Sequence, residues 1–183
     1  MGPRIQYARA ADGVSIAFWT LGRGTPLVYL AGGPWSHVEL WDIPECRRWY
    51  ERLAEQRMLV RFDVRGTGLS ERDVSDYSLE ALLLDLEAVV DRLGLARFAL
   101  FGAADAGPVA IAYAARHPER VARLVLWCAW ARGADVQSPR IRAWPRPGAA
   151  NGSAASSHLG QTAPIGARMQ QLGVMRGPGR PPG

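Results

Sequence analysis

The chain contains no lysine, so all 22 of its basic residues are arginine. This bias is typical of GC-rich coding DNA, and we assign it no function. Acidic residues are also missing from one region: residues 1–135 carry all 17 of them beside 16 arginines, and residues 136–183 carry six arginines and no acid. The net charge of +5 therefore comes from the last segment. This distribution argues against a basic nucleic-acid groove on a folded domain, and no nucleic-acid partner is expected.

Cysteine is scarce: Cys46 and Cys128 form neither a CxxC pair nor a metal-ligand spacing. We expect two reduced thiols that pack as small apolar groups in a cytoplasmic protein, with no metal and no other cofactor. The start of the chain lacks a basic region followed by an apolar one, so no signal peptide is predicted. Residues 98–115 are mostly apolar but contain Asp105 and Pro108, which favours strand, turn and helix over a membrane span.

Hydrophobic patterning predicts an α/β fold. Runs rich in β-branched and aromatic residues at 5–9 and 14–20 flank Asp12-Gly13, which is typical of a hairpin. Further strands are predicted over residues 27–30, 58–62, 98–101 and 121–127, and helices over residues 45–56, 79–93 and 106–116. Strands and helices alternate after the hairpin. We therefore predict a mostly parallel, twisted sheet with an N-terminal hairpin and helices on both faces.

The last part of the chain has a different character. Residues 145–183 are rich in Pro and Gly, lack acids and show no sustained apolar period. We predict a partial α/β domain at residues 1–135 and a disordered Arg/Pro/Gly/Ala-rich tail at residues 136–183. Three interpretations of the tail compete: a disordered linker, a basic arm, and translation of a shifted frame or a truncated gene. The third is favoured, because GC-rich DNA read out of frame gives this composition.

One turn is the candidate for chemistry. The predicted strand at 98–101 leads into Gly102-Ala-Ala104-Asp105-Ala-Gly107, and a helix follows. Small residues around a strand–turn–helix are required in the G-x-S-x-G nucleophile elbow, where backbones approach closely. Two registers fit. With Ala104 at the nucleophile position there is no nucleophile, whereas with Asp105 there an aspartate nucleophile is available.

Three further segments accompany this elbow. They are Leu30-Ala-Gly-Gly-Pro34, the Asp63-x-Arg65-Gly66-x-Gly68-x-Ser70 turn, and Pro118-Glu-Arg-Val121. Together they resemble the α/β-hydrolase fold superfamily over about residues 5–135, roughly the first half of a full-length member. The interval from the elbow to Pro118 favours Ala104 as the nucleophile position.

The resemblance implies roles for individual residues. The backbone N–H groups of Gly33 and Asp105 would form an oxyanion hole, with Gly32, Trp35 and His37 at the pocket. It also implies a small acyl-type substrate or ligand and no membrane partner. Residues 35–39 and 65–70 look, more weakly, like hydrolase-like domains beside bacterial cyclase or LuxR-type regulators.

The superfamily places an acid and then a histidine after the nucleophile. After Val121 only Asp135 and His158 remain, and neither fits a strand end. His117 is expected to end a helix. We therefore expect an ester or amide hydrolase by descent with impaired catalysis. Two alternatives remain: a non-catalytic ligand-binding or sensor module, and a truncated fragment without function.

Overall fold

The computed structural model describes residues 2–31 and 37–132, which lie within the compact unit Met1–Ser138. The elements in chain order are β1 (Gln6–Arg9), β2 (Ser15–Leu21), β3 (Thr25–Leu30), α1 (His37–Asp42), α2 (Pro44–Ala54), β4 (Arg57–Phe62), α3 (Leu79–Arg92), β5 (Phe98–Ala103), a single 3₁₀ turn (Ala104–Ala106), α4 (Gly107–Arg116) and β6 (Val121–Trp127). The segment predicted as a disordered tail lies outside the described residues.

The six strands form one mixed sheet in the order β1-β2-β4-β3-β5-β6. β1 and β2 form the expected hairpin, with Arg9 opposite Ser15, and β2 also runs antiparallel to β4. The three remaining neighbour pairs, β3 with β4, β3 with β5, and β5 with β6, are parallel. The predicted fold class is therefore confirmed. Helix α1 (His37–Asp42), between β3 and β4, was not predicted.

Alternate residues of the central strands face two different cores. On β4, Val60 and Phe62 pack in a cluster with the buried leucines and valines of α3. Their neighbours Leu59 and Arg61 lie on the other face, where Leu59 packs with Tyr50 of α2. Full burial of one such aliphatic side chain contributes about 1.5–3 kcal/mol. Both faces of the sheet are thus stabilised by a helical layer, as expected for a largely parallel sheet.

Helix α3 begins and ends where its sequence indicates. The hydroxyl of Ser78 accepts a hydrogen bond from the Ala81 N–H at 3.2 Å, which satisfies one free donor of the first turn. Gly94 follows the helix at a φ of 63°, a left-handed conformation that glycine adopts without steric cost. Glu80 in the first turn also pairs with Arg116 of α4 at 2.5 Å, so this end of α3 is tied to its neighbour.

The turn after β4 is held by a buried arginine. The side chain of Arg65 is 1% exposed, and its Nε donates to Asp85 Oδ1 of α3 at 2.9 Å. Asp85 Oδ2 accepts the Arg65 backbone N–H at 2.9 Å, and Arg65 Nη1 donates to Asp12 Oδ2 at 2.7 Å. Arg65 binds these two carboxylates because the turn packs against α3 and the β1–β2 hairpin.

Strand β6 is one of the two edge strands of the sheet formed by residues 2–31 and 37–132. Its apolar side chains are largely exposed, with Leu126 at 45% and Trp127 at 58%. An exposed apolar edge of this kind favours association with other chains. No helix in the described part of the chain is long and apolar enough to cross a membrane.

Candidate functional site

The link between β5 and α4 is a sharp turn with Ala104 at its tip. β5 ends at Ala103, the 3₁₀ turn follows, and α4 begins at Gly107. Ala104 has a φ of 50°, in the left-handed region that a residue with a Cβ rarely adopts, at a cost of roughly 1–2 kcal/mol. Cys128, directly after β6, also has a φ of 50°. Within the residues described, these two are the non-glycine positions with positive φ.

Close packing around this turn explains its small residues. A Cβ added at Gly102 would lie 2.6 Å from the Cβ of Ala110 on α4. A Cβ at Gly107 would lie 2.6 Å from the Cβ of Ala129 and 3.0 Å from the carbonyl oxygen of Trp130. Any larger residue at either glycine would therefore force α4 or the segment after β6 to move.

A cavity of about 460 Å³ opens beside this turn. Its volume lies in the range of small-molecule sites. One wall comes from strand ends: Tyr29 and Ala31 at the end of β3, Ala103 and Ala104 at the end of β5, and Trp127 and Cys128 at the end of β6. The chain moves from β3 to β4 on one side, whereas β5 and β6 lie on the other. The cavity is thus at a topological switch point, where open α/β sheets bind ligands.

The opposite wall comes from α1 and α2. It is formed by Leu40, Glu45, Cys46, Trp49 and Tyr50. The aromatic rings pack edge to face: Tyr29 lies 4.7 Å from Phe101 and 6.4 Å from Tyr50, between ring centroids. The cavity therefore has a rigid, mostly apolar lining suited to a hydrocarbon chain or an aromatic group.

Burial favours the neutral forms of three ionisable groups of the lining, Tyr29, Cys46 and Tyr50. Burial raises the pKa of Tyr50 to about 12 and also raises the pKa of Tyr29, while the positive charge of Arg61 opposes both shifts. Burial likewise raises the pKa of the Cys46 thiol. Glu45 is the one carboxylate of the described lining; it is 72% exposed and pairs with Arg48 at 3.0 Å. The described lining thus contains no histidine or buried carboxylate to act as a base.

The structure places the two elbow candidates differently. Ala104 lines the cavity, whereas Asp105 is exposed and does not line it. Gly32, Gly33 and Trp35 lie outside the described residues. The roles predicted for these residues in the pocket and the oxyanion hole remain predictions.

Of the three histidines, His117 alone has a described side chain, and it does not line the cavity. The backbone of His37 begins α1, but its side chain lies outside the description. His117 ends α4, as expected, with Nε2 3.3 Å from Glu87 and Nδ1 3.6 Å from Glu119. Asp135 and His158 lie outside the described residues.

Sequence reasoning missed most of the lining. Cys46 and Cys128 were expected to be inert packing groups, but both thiols line the cavity, and Cys128 is exposed. The position of Cys128 carries a usable signal: it is the first residue after a parallel strand, at the edge of the sheet where sites form. Tyr29 carries a similar signal at the end of β3. Tyr50 and Trp49 carry none, because their placement depends on how α2 packs.

The chain belongs to the α/β-hydrolase fold family, whose model matches residues 25–176. The match extends past residue 135 into the segment predicted as a tail, and the boundary at 135/136 remains a prediction. The six-stranded mixed sheet with its helices agrees with this family.

Individual relatives are hydrolases of several kinds. The chain is similar to a proline iminopeptidase of Neisseria gonorrhoeae, with 33% identity over 66% of this chain and 36% of that protein. It is similar to a putative carbamate hydrolase RutD of Caulobacter vibrioides, with 36% identity over 65% of this chain and 41% of that protein. The chain thus spans less than half the length of these curated relatives.

Solved structures that resemble this chain are also longer than it. Cfl2 of Burkholderia cenocepacia has a TM-score of 0.63 and 27% identity, covering 94% of this chain and 51% of that one. The epoxide hydrolase CorEH has a TM-score of 0.62 and 27% identity, covering 71% of this chain and 44% of that one.

Proposed function

We propose that this chain is a hydrolase-family protein, an ester or amide hydrolase by descent, that binds a small acyl-type ligand and turns it over slowly or not at all. The observation that carries the proposal is Ala104. It lines the cavity at a φ of 50° between β5 and α4, the place where a hydrolase elbow presents its nucleophile. A methyl group there has no lone pair with which to attack a carbonyl carbon.

The magnitude of the expected impairment follows from the loss of the nucleophile. Removing a member of a serine-hydrolase triad costs roughly 10⁴- to 10⁶-fold in kcat. Binding is affected far less, because the strand-end wall and the helical wall of the cavity do not depend on the serine hydroxyl. The backbone N–H groups of Gly33 and Asp105 remain our candidates for holding the carbonyl oxygen of a ligand.

The names of the relatives support a small-molecule ligand without choosing one. They specify a peptidase, a carbamate hydrolase and an epoxide hydrolase, so the common feature is a small substrate in the same kind of fold. The resemblance of residues 35–39 and 65–70 to hydrolase-like domains beside bacterial cyclase or LuxR-type regulators supports a sensor role in the cytoplasm. A sensor needs occupancy of the cavity rather than turnover.

Ester hydrolysis tests the proposal. We expect the purified chain to hydrolyse p-nitrophenyl acetate and p-nitrophenyl butyrate at least about 10⁴-fold more slowly than an intact serine hydrolase, measured over many equivalents. Cys46 and Cys128 could each be acylated once, so only turnover beyond two equivalents counts as catalysis. The Asp105→Asn variant should behave like the parent chain.

Two outcomes would overturn the proposal. A rate clearly above buffer that is lost in Asp105→Asn would make Asp105 the nucleophile. A rate close to that of an intact serine hydrolase that survives this substitution would reveal another catalytic group. A chain that shows no cooperative melting would instead favour the truncated-fragment interpretation.

A further inference from the structure

Arg61 of β4 is a buried cation that pairs with no carboxylate of the described residues. The residue is 1% exposed, and among the described residues neither its Nε nor its Nη1 has a hydrogen-bond partner. Charged side chains are almost never fully buried unless they are paired, because removing a charge from water is costly. The structure of the described residues leaves this charge uncompensated.

The guanidinium group lies directly against the cavity lining. Its central carbon is 4.6 Å from the ring centroid of Tyr29 and 5.2 Å from that of Tyr50, and both rings line the cavity. Cation–π contacts of this kind hold an arginine in place. The rings of Tyr29 and Tyr50 come from different walls and meet with their centroids 6.4 Å apart, and we call this pair of rings the Tyr29–Tyr50 floor. The cation–π contacts do not neutralise the charge of Arg61, so this floor has a cation behind it.

The charge of Arg61 is felt at three groups of the lining. Burial is the larger influence and raises the pKa of Tyr29, Tyr50 and Cys46, while Arg61 acts against it at all three. At each group Arg61 reduces the cost of a negative charge near this floor, although burial outweighs it and the pKa stays raised. Because the site is mostly apolar, such an interaction is weakened less by solvent than it would be at the surface.

Two acids act against Arg61, Asp63 at Tyr50 and Glu45 at Cys46, but neither acid forms an ion pair with Arg61 among the described residues. Glu45 on the cavity wall is 72% exposed and is engaged by Arg48 at 3.0 Å. Asp63, two residues after Arg61, is buried, and its Oδ2 accepts the Leu69 N–H at 2.8 Å. No ion pair joins either acid to Arg61 within residues 2–31 and 37–132.

We propose that the cavity selects an apolar anion: a ligand whose hydrocarbon part packs against the aromatic walls and whose carboxylate lies near the Tyr29–Tyr50 floor, in the field of Arg61. This rests on the proposed function, since it gives the ligand class of the same cavity. A bound carboxylate supplies the negative charge that Arg61 lacks. It makes Arg61 the residue that determines specificity.

Three ligands of equal chain length test the charge preference. Octanoate, 1-octanol and octylammonium differ only in the head group, and binding to the full chain is measured by calorimetry at pH 7. We expect octanoate to bind about tenfold more tightly than octanol, a difference of about 1.4 kcal/mol. Octylammonium should bind the most weakly.

Variants of equal charge change locate the preference. Arg61→Met should bring octanoate and octanol to within about twofold of one another and leave octanol binding unchanged. Arg57→Met, at the start of the same strand, removes one positive charge outside the lining and should keep the octanoate preference.

The outcomes separate the two proposals. If none of the three ligands binds, the proposed function fails. If octanol binds the parent chain as tightly as octanoate does, the ligand class is wrong while the binding function stands. An octanoate preference that survives Arg61→Met would remove Arg61 from its role. The ligand class is decided by measurements on the parent chain alone. That conclusion therefore does not depend on whether the Arg61→Met variant folds.

Discussion

Two buried arginines within five positions of one another have opposite surroundings. Arg65 and Arg61 are each 1% exposed. Arg65 contacts two carboxylates, whereas Arg61 contacts the rings of Tyr29 and Tyr50 and pairs with no carboxylate of the described residues. Arg65 lies on the turn that packs against α3, whereas Arg61 lies under the cavity floor. A buried charge with its counter-charge built in serves the fold. One without a counter-charge is costly to the fold and is suited to a ligand that supplies it.

The largest expected effect is at the paired arginine. In Asp85→Asn, one of the two acceptor oxygens that bind the Nε and backbone N–H of Arg65 becomes a donor, so a donor faces a donor in the core. Breaking a buried pair by removing one partner costs about 3–5 kcal/mol. Urea unfolding should show a loss of that size.

Asp91 provides the matched control on the same helix. It is 63% exposed and pairs with Arg120 at 2.8 Å. Because an exposed ion pair contributes at most about 1 kcal/mol, Asp91→Asn should change the free energy of unfolding by less than that. Equal losses for Asp85→Asn and Asp91→Asn would contradict the structural role given to the Arg65 cluster.

The unpaired arginine should matter much less for stability. Arg61→Met removes an uncompensated charge from the interior, which stabilises, and it loses the contacts with Tyr29 and Tyr50, which destabilises by about 0.5–2 kcal/mol. We expect the two effects nearly to cancel, with a net change in the free energy of unfolding below about 1 kcal/mol. A loss as large as that of Asp85→Asn would show that Arg61 serves the fold and would break the contrast.

The sequence predicted the strands and the turn around this site better than the side-chain contacts within it. Strands such as β5 (Phe98–Ala103) are visible because apolar runs between turn residues report burial directly. The small residues Gly102 and Gly107 indicated a crowded turn before their neighbours were known. The partner of Arg65 was not visible, because Asp85 is 20 positions away and looks like any polar residue on an amphipathic helix. Arg61 was hidden for the same reason: only the packing of α2 shows which rings cover it.

The smallest expected effect concerns Asp12, the second partner of Arg65. The hydrogen bond from Arg65 holds the pKa of Asp12 below the ordinary value of 3.8. A lowered pKa in the folded state means that the ionised carboxylate stabilises the fold at every pH above 3.8, and that this contribution is lost as the pH falls through the lowered value. Asp12 is 34% exposed, so its contribution is expected to be under about 1 kcal/mol.

Urea midpoints of the parent chain and of Asp12→Asn between pH 3 and pH 6 measure this contribution. The variant should be less stable by a constant, small amount above about pH 4.5, and the two curves should converge as the pH falls below 3.8. A gap that stays constant down to the lowest pH would mean that ionisation of Asp12 is not what stabilises Arg65. In that case Asp85 alone would neutralise Arg65, and the contrast with Arg61 would rest on a single carboxylate.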